Sequence, residues 1–216
     1  MSETSQKPAI PYRETIESQV AERQRLLYGR RYQGVSISQI IAPEWAQMKI
    51  SSFMSKPTNF LVYCGSPGIG KTYLCAALTE WAIKNYGANW RYWTENALLK
   101  KLRDSMDSMK GDYLDLLQYM IDADFLILDD VGSGVKVNEW REEVLFALVD
   151  YRYNTMKPTI VTSNFSEKQF LEKYHARVHS RLFAKDNTII EILDGVDCRL
   201  QIMSQPGYKF EEKPNA

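Results

Sequence analysis

The sequence has few of the residues that hold metals or cross-link a chain. Its 216 residues contain three cysteines and two histidines, and the cysteines form no C-x-x-C pair. His175 and His179 lie on one helical stretch without the H-E-x-x-H arrangement of a zinc site. These absences argue against a disulfide scaffold and against a histidine-bound metal. The cysteines are expected to be small buried hydrophobic residues: Cys64, Cys75 and Cys198.

The sequence also lacks a long apolar run and an excess of charge of either sign. No stretch reaches the length of a membrane span, and the polar N-terminus has no apolar signal region, which predicts a cytoplasmic protein without membrane contact. With 27 basic and 27 acidic residues the net charge is zero, so any nucleic-acid binding must come from a local patch. The length, with 44% hydrophobic and 25% charged residues, predicts one compact α/β domain with a short appendage.

The most specific motif is a phosphate loop with the spacing G-x-x-x-x-G-K-[ST]. It consists of Gly65, Ser66, Pro67, Gly68, Ile69, Gly70, Lys71 and Thr72. A short apolar strand over 59–64 precedes it and a helix from Tyr73 to about residue 83 follows, which is the context that the motif requires. Backbone N–H groups of such a loop surround a phosphate, Lys71 would reach the β- and γ-phosphates, and the Thr72 hydroxyl would ligate Mg²⁺. The stretch from Gly65 to Tyr73 is therefore a predicted nucleotide-binding segment.

A second motif is an apolar strand over 124–130 that ends in two carboxylates. After a phosphate loop, this pattern is the Walker B arrangement: Asp129 would hold Mg²⁺, and Asp130 would position and polarise the attacking water. The next residues, 131–134, have the sequence V-G-S-G, which predicts a flexible link into a helix over 138–153.

Two further elements carry polar residues that fit a nucleotide site. A strand over 159–162 ends at Ser163 and Asn164, where a γ-phosphate sensor would lie beside the acidic strand. A helix over 175–182 places Arg177 and Arg181 one turn apart on one face. We interpret these arginines as cations for the transition state, acting in cis or on a neighbouring subunit.

The segments outside these motifs are predicted to be mostly helical. A charged helix over 13–28 has a thin apolar stripe, which fits either a solvated helix or one that docks on a partner. A helix over 43–54 is expected to pack Trp45, Met48 and Phe53 on the core. A strand over 89–93 and two helices, 97–109 and 113–120, come between the motifs, and a last strand covers 188–192.

Together, these motifs resemble the AAA+ ATPases of the DnaC/DnaI helicase-loader and IstB type. The resemblance covers about residues 25–202 and also includes the triplet Asp197-Cys198-Arg199. It implies an α/β P-loop fold in three layers, with a five-stranded parallel sheet ordered 5-1-4-3-2, a short N-terminal helical extension and no full C-terminal lid. The expected organisation is a tail and possible docking helix (1–40), an ATPase domain (41–205) and a polar tail (206–216).

The resemblance also implies ATP and Mg²⁺ as cofactors and assigns roles to single residues. Asn164 would be the first sensor, Arg181 the arginine finger that acts on a neighbouring subunit, and Arg199 a second sensor that contacts the nucleotide. Arg177 would assist Arg181 at the same self-association face. The helices between the second and third strands would contact single-stranded DNA, with these candidate residues: Lys101, Arg103, Lys110 and Tyr113.

The function implied by the resemblance is ATP-dependent loading of a hexameric replicative helicase onto single-stranded DNA. An IstB-like helper ATPase of transposition and an ATP-assembled adaptor or inhibitor of a helicase are the alternatives. A small-molecule kinase is disfavoured because the sensor strand and the arginine helix would have no role in it. Asp130 stands where many AAA+ proteins have glutamate, which predicts slow hydrolysis. The region before the core is short and has no cysteine cluster, so either helicase docking uses the helix over 13–28 or the partner is different.

Overall fold

The computed structural model of the chain describes residues 12–107, 112–133, 138–195 and 197–198. The predicted DNA contact Lys110 and the predicted sensor Arg199 lie outside the described residues, as do the predicted terminal tails.

A parallel sheet of five strands is the centre of the fold. The strands are β1 (Phe60–Gly65), β2 (Trp90–Thr94), β3 (Phe125–Val131), β4 (Thr159–Ser163) and β5 (Thr188–Ile192). Their order in the sheet is β2-β3-β4-β1-β5, which confirms the α/β fold and the 5-1-4-3-2 order implied by the AAA+ resemblance, counted from the other edge. Because all neighbouring strands are parallel, each connection returns to the amino-terminal edge of the sheet, and the carboxyl ends of all five strands lie at the opposite edge.

Helices cover both faces of the sheet, because successive strand side chains point to opposite sides. The helices are α1 (Tyr12–Tyr28), α2 (Glu44–Ser55), α3 (Lys71–Tyr86), α4 (Glu95–Asp107), α5 (Asp112–Asp122), α6 (Glu139–Asn154), α7 (Glu167–Lys173) and α8 (Ala176–Leu182). In β1, Phe60 and Val62 pack with α4, α5, α6 and α8, whereas Leu61 and Tyr63 pack with α2 and α3. None of the helices in the described part of the chain is long and apolar enough to cross a membrane.

Helix α1 packs on α3 through a buried polar contact. The side chain of Gln24 is fully buried, and its amide nitrogen donates to Val35 O at 2.6 Å and to Ala76 O at 2.9 Å. Its amide oxygen accepts from Gly34 N at 2.8 Å. Because both ends of this amide are satisfied, its burial is compatible with folding and fixes α1 on the domain.

The prediction that Trp45 and Met48 of α2 pack on the core is wrong. Trp45 is 41% exposed and Met48 is 60% exposed, whereas Ala46, Ile50 and Phe53 are buried. The buried residues follow the i, i+4, i+7 spacing of one helix face, which leaves Trp45 and Met48 on other sides of the helix.

Candidate functional site

A cavity of about 720 Å³ lies at the carboxyl edge of the sheet, within the size range of sites for small-molecule ligands. Pro67 to Tyr73 of the phosphate loop line it, together with Asp129, Asp130 and Asn164. The other wall comes from the segment before the sheet, which contributes Leu27, Tyr28, Arg31, Tyr32 and Ile40. The structure therefore brings the predicted motifs together at one cavity. Gly65 and Ser66 do not line it, although they belong to the same loop.

The phosphate loop has the backbone geometry that its glycines permit. Gly68 and Gly70 have φ values of 85° and 93°, which side chains with a Cβ rarely adopt. A Cβ on Gly68 would lie 1.9 Å from Asp197 Oδ1, because the chain after β5 folds over the loop. Cys198 N donates to Gly68 O at 3.1 Å in the same contact. The concave loop would not form with a larger residue at position 68.

Lys71 is the first residue of α3 and is buried under the loop, with only 7% of its surface exposed. Its ammonium donates to Gly65 O at 2.7 Å and to Ser66 O at 2.8 Å. A cation in this position lies inside the loop and next to the N-terminus of α3, where anions are stabilised.

Asp129 ends the regular part of β3 and accepts from several hydroxyl groups. Thr72 Oγ1 donates to its Oδ2 at 3.0 Å, Tyr92 OH donates to the same oxygen at 3.1 Å, and the Thr162 hydroxyl donates to Oδ1. Only 2% of Asp129 is exposed. Neighbouring strands and the phosphate loop thus hold this carboxylate in place with neutral donors, and hydroxyl and carboxylate oxygens are the ligand types that Mg²⁺ uses.

Two tyrosines connect Asp129 with helix α1. The rings of Tyr28 and Tyr92 have centroids 4.3 Å apart, and Tyr28 OH donates to Cys75 O at 3.2 Å. Burial, and then the negative charge of Asp129, raise the pKa of Tyr92, so its hydroxyl stays protonated and donates. The side chain of Tyr92 therefore lies between Tyr28, at the end of α1, and Asp129 of β3.

Asp130 has a different environment from Asp129. Its φ is +60°, in the left-handed region, and its backbone N–H donates to Thr162 Oγ1 at 2.9 Å. Asn164 Nδ2 donates to its Oδ1 at 2.9 Å, and the Ser133 hydroxyl donates to the other oxygen. The left-handed turn directs this carboxylate into the cavity beside the predicted sensor.

The predicted arginines lie away from the cavity. Arg181 Nε donates to Asp150 Oδ1 of α6 at 2.8 Å in a pair that is about a third exposed. The guanidinium of Arg177 is 4.4 Å from the ring centroid of Phe146, and that of Arg181 is 5.5 Å from it. Both arginines thus share one surface, and neither lines the cavity of its own chain.

The described DNA candidates lie on α4 and α5. Lys101 and Arg103 are exposed, and the guanidinium of Arg103 is 5.2 Å from the ring centroid of Trp140. Tyr113 is partly buried and packs against the core, so only its exposed edge could contact a ligand.

Sequence patterns missed several residues that shape the site. Tyr92 and Thr162 meet Asp129 only because β2 and β4 flank β3, which depends on the strand order. Gln24 follows Val20 by four residues and so continues the apolar stripe of α1, a signal that would have indicated its burial. The segment 131–133, predicted to be flexible, is instead largely buried and hydrogen-bonded, because Gly132 N donates to the buried carboxylate of Glu95 at 2.7 Å.

These residues fit a magnesium nucleotide. The cavity combines a lysine-bearing glycine loop at a helix N-terminus with Thr72 and Asp129 joined by a hydrogen bond, which is the donor set for phosphates and for Mg²⁺.

Comparisons with known proteins show the family of the chain. A family model described as IstB-like ATP binding protein matches residues 38–184. The replicative helicase loader DnaI of Bacillus subtilis (strain 168) is 30% identical over 112 residues, which are 51% of this chain and 34% of that protein. An ATP-binding protein of insertion sequence IS5376 from Geobacillus stearothermophilus is 28% identical over 157 residues, which are 73% of this chain and 55% of that protein.

The fold comparison gives the same family. The crystal structure of the DnaC helicase loader superposes with a TM-score of 0.65 and 25% sequence identity, over 76% of this chain and 99% of that chain. The chain spans only about a quarter to a half of the length of the curated relatives it matches. Because the family model matches well over half of the sequence, the chain belongs to the IstB-like ATP binding proteins, the AAA+ family that includes DnaC and DnaI.

Proposed function

We propose that this protein hydrolyses ATP and uses the hydrolysis cycle to load a hexameric replicative helicase onto single-stranded DNA. The observation that carries the ATPase part is the meeting of Lys71, Asp129 and Asp130 at one cavity. The resemblance to DnaC and DnaI supports the loading part.

The nucleotide would be held by the loop from Gly65 to Tyr73, with Lys71 on its phosphates and Arg199, outside the described residues, as a further contact. Thr72 and Asp129 would hold Mg²⁺, which neutralises the charge of the β- and γ-phosphates when it is bound. The hydroxyls of Tyr92 and Thr162 keep Asp129 in place because they donate to both of its oxygens.

Asp130 would act as the base that orients and polarises water. Its carboxylate lines the cavity, and the amide of Asn164 donates to it at 2.9 Å. This contact fixes the direction of the carboxylate and leaves Asn164 next to the position where a γ-phosphate would lie. The expected turnover is slow, because aspartate reaches less far than glutamate.

Arg181 would complete the site of a neighbouring subunit. Within one chain it is paired with Asp150 and does not line the cavity, so it has no route to the nucleotide of its own chain. It is exposed enough to meet a second copy, and an arginine supplied in trans stabilises the charge that develops on a transferred phosphoryl group. Arg177 would contact the same neighbour.

Helicase and DNA would use two other surfaces. Helix α1 has an exposed side that includes Leu26, which is 61% exposed and fits an apolar anchor for a partner protein. Lys101 and Arg103 are exposed on α4 and would pair with a DNA backbone together with Lys110, while Tyr113 would stack on a base. In this proposal, residues 1–40 contain the docking element, 41–205 the ATPase domain and 206–216 a polar tail.

Co-purification with a hexameric replicative helicase, in the presence of ATP and Mg²⁺, tests the loading proposal. The informative variant is Leu26→Asp, because deletion of residues 1–30 would also remove Gln24 and Tyr28, which pack on α3. Leu171→Asp is the matched control, since Leu171 is an equally apolar residue that is 48% exposed on α7. We expect the wild type and the control to retain the helicase and Leu26→Asp to lose it. Failure of the wild type to retain it would refute the loading function.

A helper ATPase of transposition is the second candidate. The observation that favours it is the match to the IS5376 protein, which extends over 73% of this chain. In the same experiment with a transposase and duplex DNA in place of the helicase, retention of the transposase alone would establish this candidate. Retention of a helicase without measurable hydrolysis would instead indicate an ATP-assembled adaptor or inhibitor.

A further inference from the structure

A buried ion pair lies directly behind the turn that carries Asp130. Glu95, the first residue of α4, is 1% exposed, and Arg141 of α6 is 4% exposed. Arg141 donates to both carboxylate oxygens of Glu95, from Nε at 3.0 Å and from Nη2. Tyr174 OH donates to Glu95 Oε1 at 3.3 Å. This hydrogen bonding by Glu95 raises the pKa of Arg141, so the guanidinium keeps its charge.

The ion pair holds the two residues that follow β3. Glu95 Oε2 accepts from Gly132 N at 2.7 Å, and Arg141 Nη2 donates to Ser133 O at 3.1 Å. Asn96 Nδ2 donates to the same carbonyl at 3.1 Å. The turn is therefore fixed from α4 and from α6 at once.

This turn in turn holds Asp130. The Ser133 hydroxyl donates to the Asp130 carboxylate and lies 3.0 Å from its carbonyl oxygen. A non-glycine residue with φ of +60° is strained, and such a conformation persists only where its surroundings impose it. The contacts from Glu95 and Arg141 supply that constraint on the side of the turn away from the cavity.

Stability alone is a weak explanation for this pair. A buried ion pair costs desolvation, and replacing one with apolar residues of similar volume is often neutral or stabilising. What apolar residues would not provide is the pair of directed bonds to Gly132 N and Ser133 O.

We propose that Glu95 and Arg141 are positioning residues that hold the 132–133 turn, and through it the carboxylate of Asp130, in the geometry needed to polarise water. The proposal rests on the proposed ATPase function. Neither residue lines the nucleotide cavity, so both act only through the turn.

The test compares Glu95→Gln with the wild type by steady-state kinetics and by amide hydrogen exchange of peptides spanning residues 129–133. Loss of the charge should release Gly132 and lower kcat about ten- to a hundredfold, with KM within about twofold, because Glu95 does not touch the nucleotide. Exchange of the 129–133 amides should become at least about tenfold faster while β1 and β4 keep their protection. Arg141→Lys keeps the positive charge but loses the two-pronged guanidinium that donates to both oxygens of Glu95. It should also lower kcat and speed up exchange at 129–133.

A double-mutant experiment shows whether the loss of turnover in Glu95→Gln depends on Asp130. In an Asp130→Asn background, Glu95→Gln should cause no further loss of turnover, because the group that it positions is already disabled. Glu80→Gln is the matched control: Glu80 pairs with Lys84 on the exposed side of α3, and its removal should leave kcat and exchange unchanged. Asn96→Ala removes a contact to the turn without leaving a buried charge, and is the variant to use if Glu95→Gln does not fold.

Unchanged kcat together with unchanged exchange at 129–133 would overturn the proposal. A full additional loss in the Asp130→Asn background, or a general loss of protection in all strands, would also overturn it. If the wild type does not hydrolyse ATP, the proposed function fails, and the exchange experiment still decides whether Glu95 holds the turn.

Discussion

The nucleotide cavity and the arginine surface, formed by Phe146, Asp150, Arg177 and Arg181, differ in how completely they are built. In the cavity, Asp129 is 2% exposed, and hydroxyls from the phosphate loop, β2 and β4 donate to it. On the arginine surface, Arg181 and Asp150 are each about a third exposed and form a single ion pair. The first carboxylate is buried and held by three neighbouring elements, whereas the second ion pair is partly open to solvent.

The difference between these regions shows which of the proposed catalytic groups lie at the cavity of the same chain. The cavity of one chain contains the groups that we propose for the phosphates, for a metal and for water, but Arg181 and Arg177 do not line it. In the proposed function, Arg181 is the cation that a second copy would add. Substitutions that disable one region or the other should therefore differ in how much turnover they remove.

Arg181→Ala should have the largest effect on turnover. An arginine supplied in trans contributes about a thousandfold or more to phosphoryl transfer, so kcat should fall by about that factor. ATP affinity should change by less than about threefold, because Arg181 does not line the cavity of its own chain. Turnover and nucleotide binding measured side by side check this. Loss of ATP affinity with unchanged turnover would show that the arginine surface has no part in hydrolysis.

Asp130→Asn should reduce turnover by about a hundredfold, because a general base contributes about that factor. ATP should still bind, since Lys71 and the loop are intact. Binding can be followed by alkylation of Cys198. The prediction that Cys198 is buried is wrong, because it is only partly buried and lines the cavity, whereas Cys64 and Cys75 are buried as predicted. Burial raises the pKa of Cys64 to about 12, so this thiol should not react in the folded protein. Unchanged turnover in the variant would contradict the role of Asp130.

Asp150→Asn should change turnover only a few-fold, and upwards. The Arg181–Asp150 pair is partly exposed and worth at most about 1 kcal/mol, so its release would favour the free arginine by about fivefold or less. Steady-state turnover at low and high salt measures this, since salt should reduce the difference. A fall to the level of Arg181→Ala would mean that Asp150 positions Arg181 and does not restrain it.

The buried cavity should also make the protein sensitive to alkali. Burial raises the pKa of Tyr28 and of Tyr92, so the folded state keeps these protons while the unfolded state loses them above pH 10. The free energy of unfolding should therefore fall as pH rises above 10, by about 1.4 kcal/mol per pH unit for each such group. Tyr92→Phe should remove the contribution of about one proton to this slope, about 1.4 kcal/mol per pH unit, in the free energies of unfolding from urea titrations at pH 10 to 11.5. Tyr151→Phe is the matched control, because Tyr151 is 40% exposed and does not line the cavity. An unchanged slope in Tyr92→Phe would contradict the assignment.

Local sequence patterns predicted the strands, and the family resemblance implied their order, which the structure confirms. The motif residues Lys71, Thr72 and the β3 acids lie at one cavity because they belong to continuous segments with fixed backbone geometry, and their roles stay a prediction. They failed for Glu95 and Arg141, which lie 46 residues apart and meet only in the folded sheet. They also misplaced Trp45, because periodicity alone did not determine which side of α2 faces the sheet.

The most direct test of the central claim, that one chain supplies the acid and its neighbour the arginine, is a mixture of Asp130→Asn and Arg181→Ala proteins. At equal amounts, about one interface in four pairs an intact Asp130 with an intact Arg181, so turnover should rise to about a quarter of the wild-type value. The two proteins assayed separately should each remain nearly inactive. A mixture no more active than the mean of its two components would contradict the account, because the acid and the arginine would then have to act within a single chain.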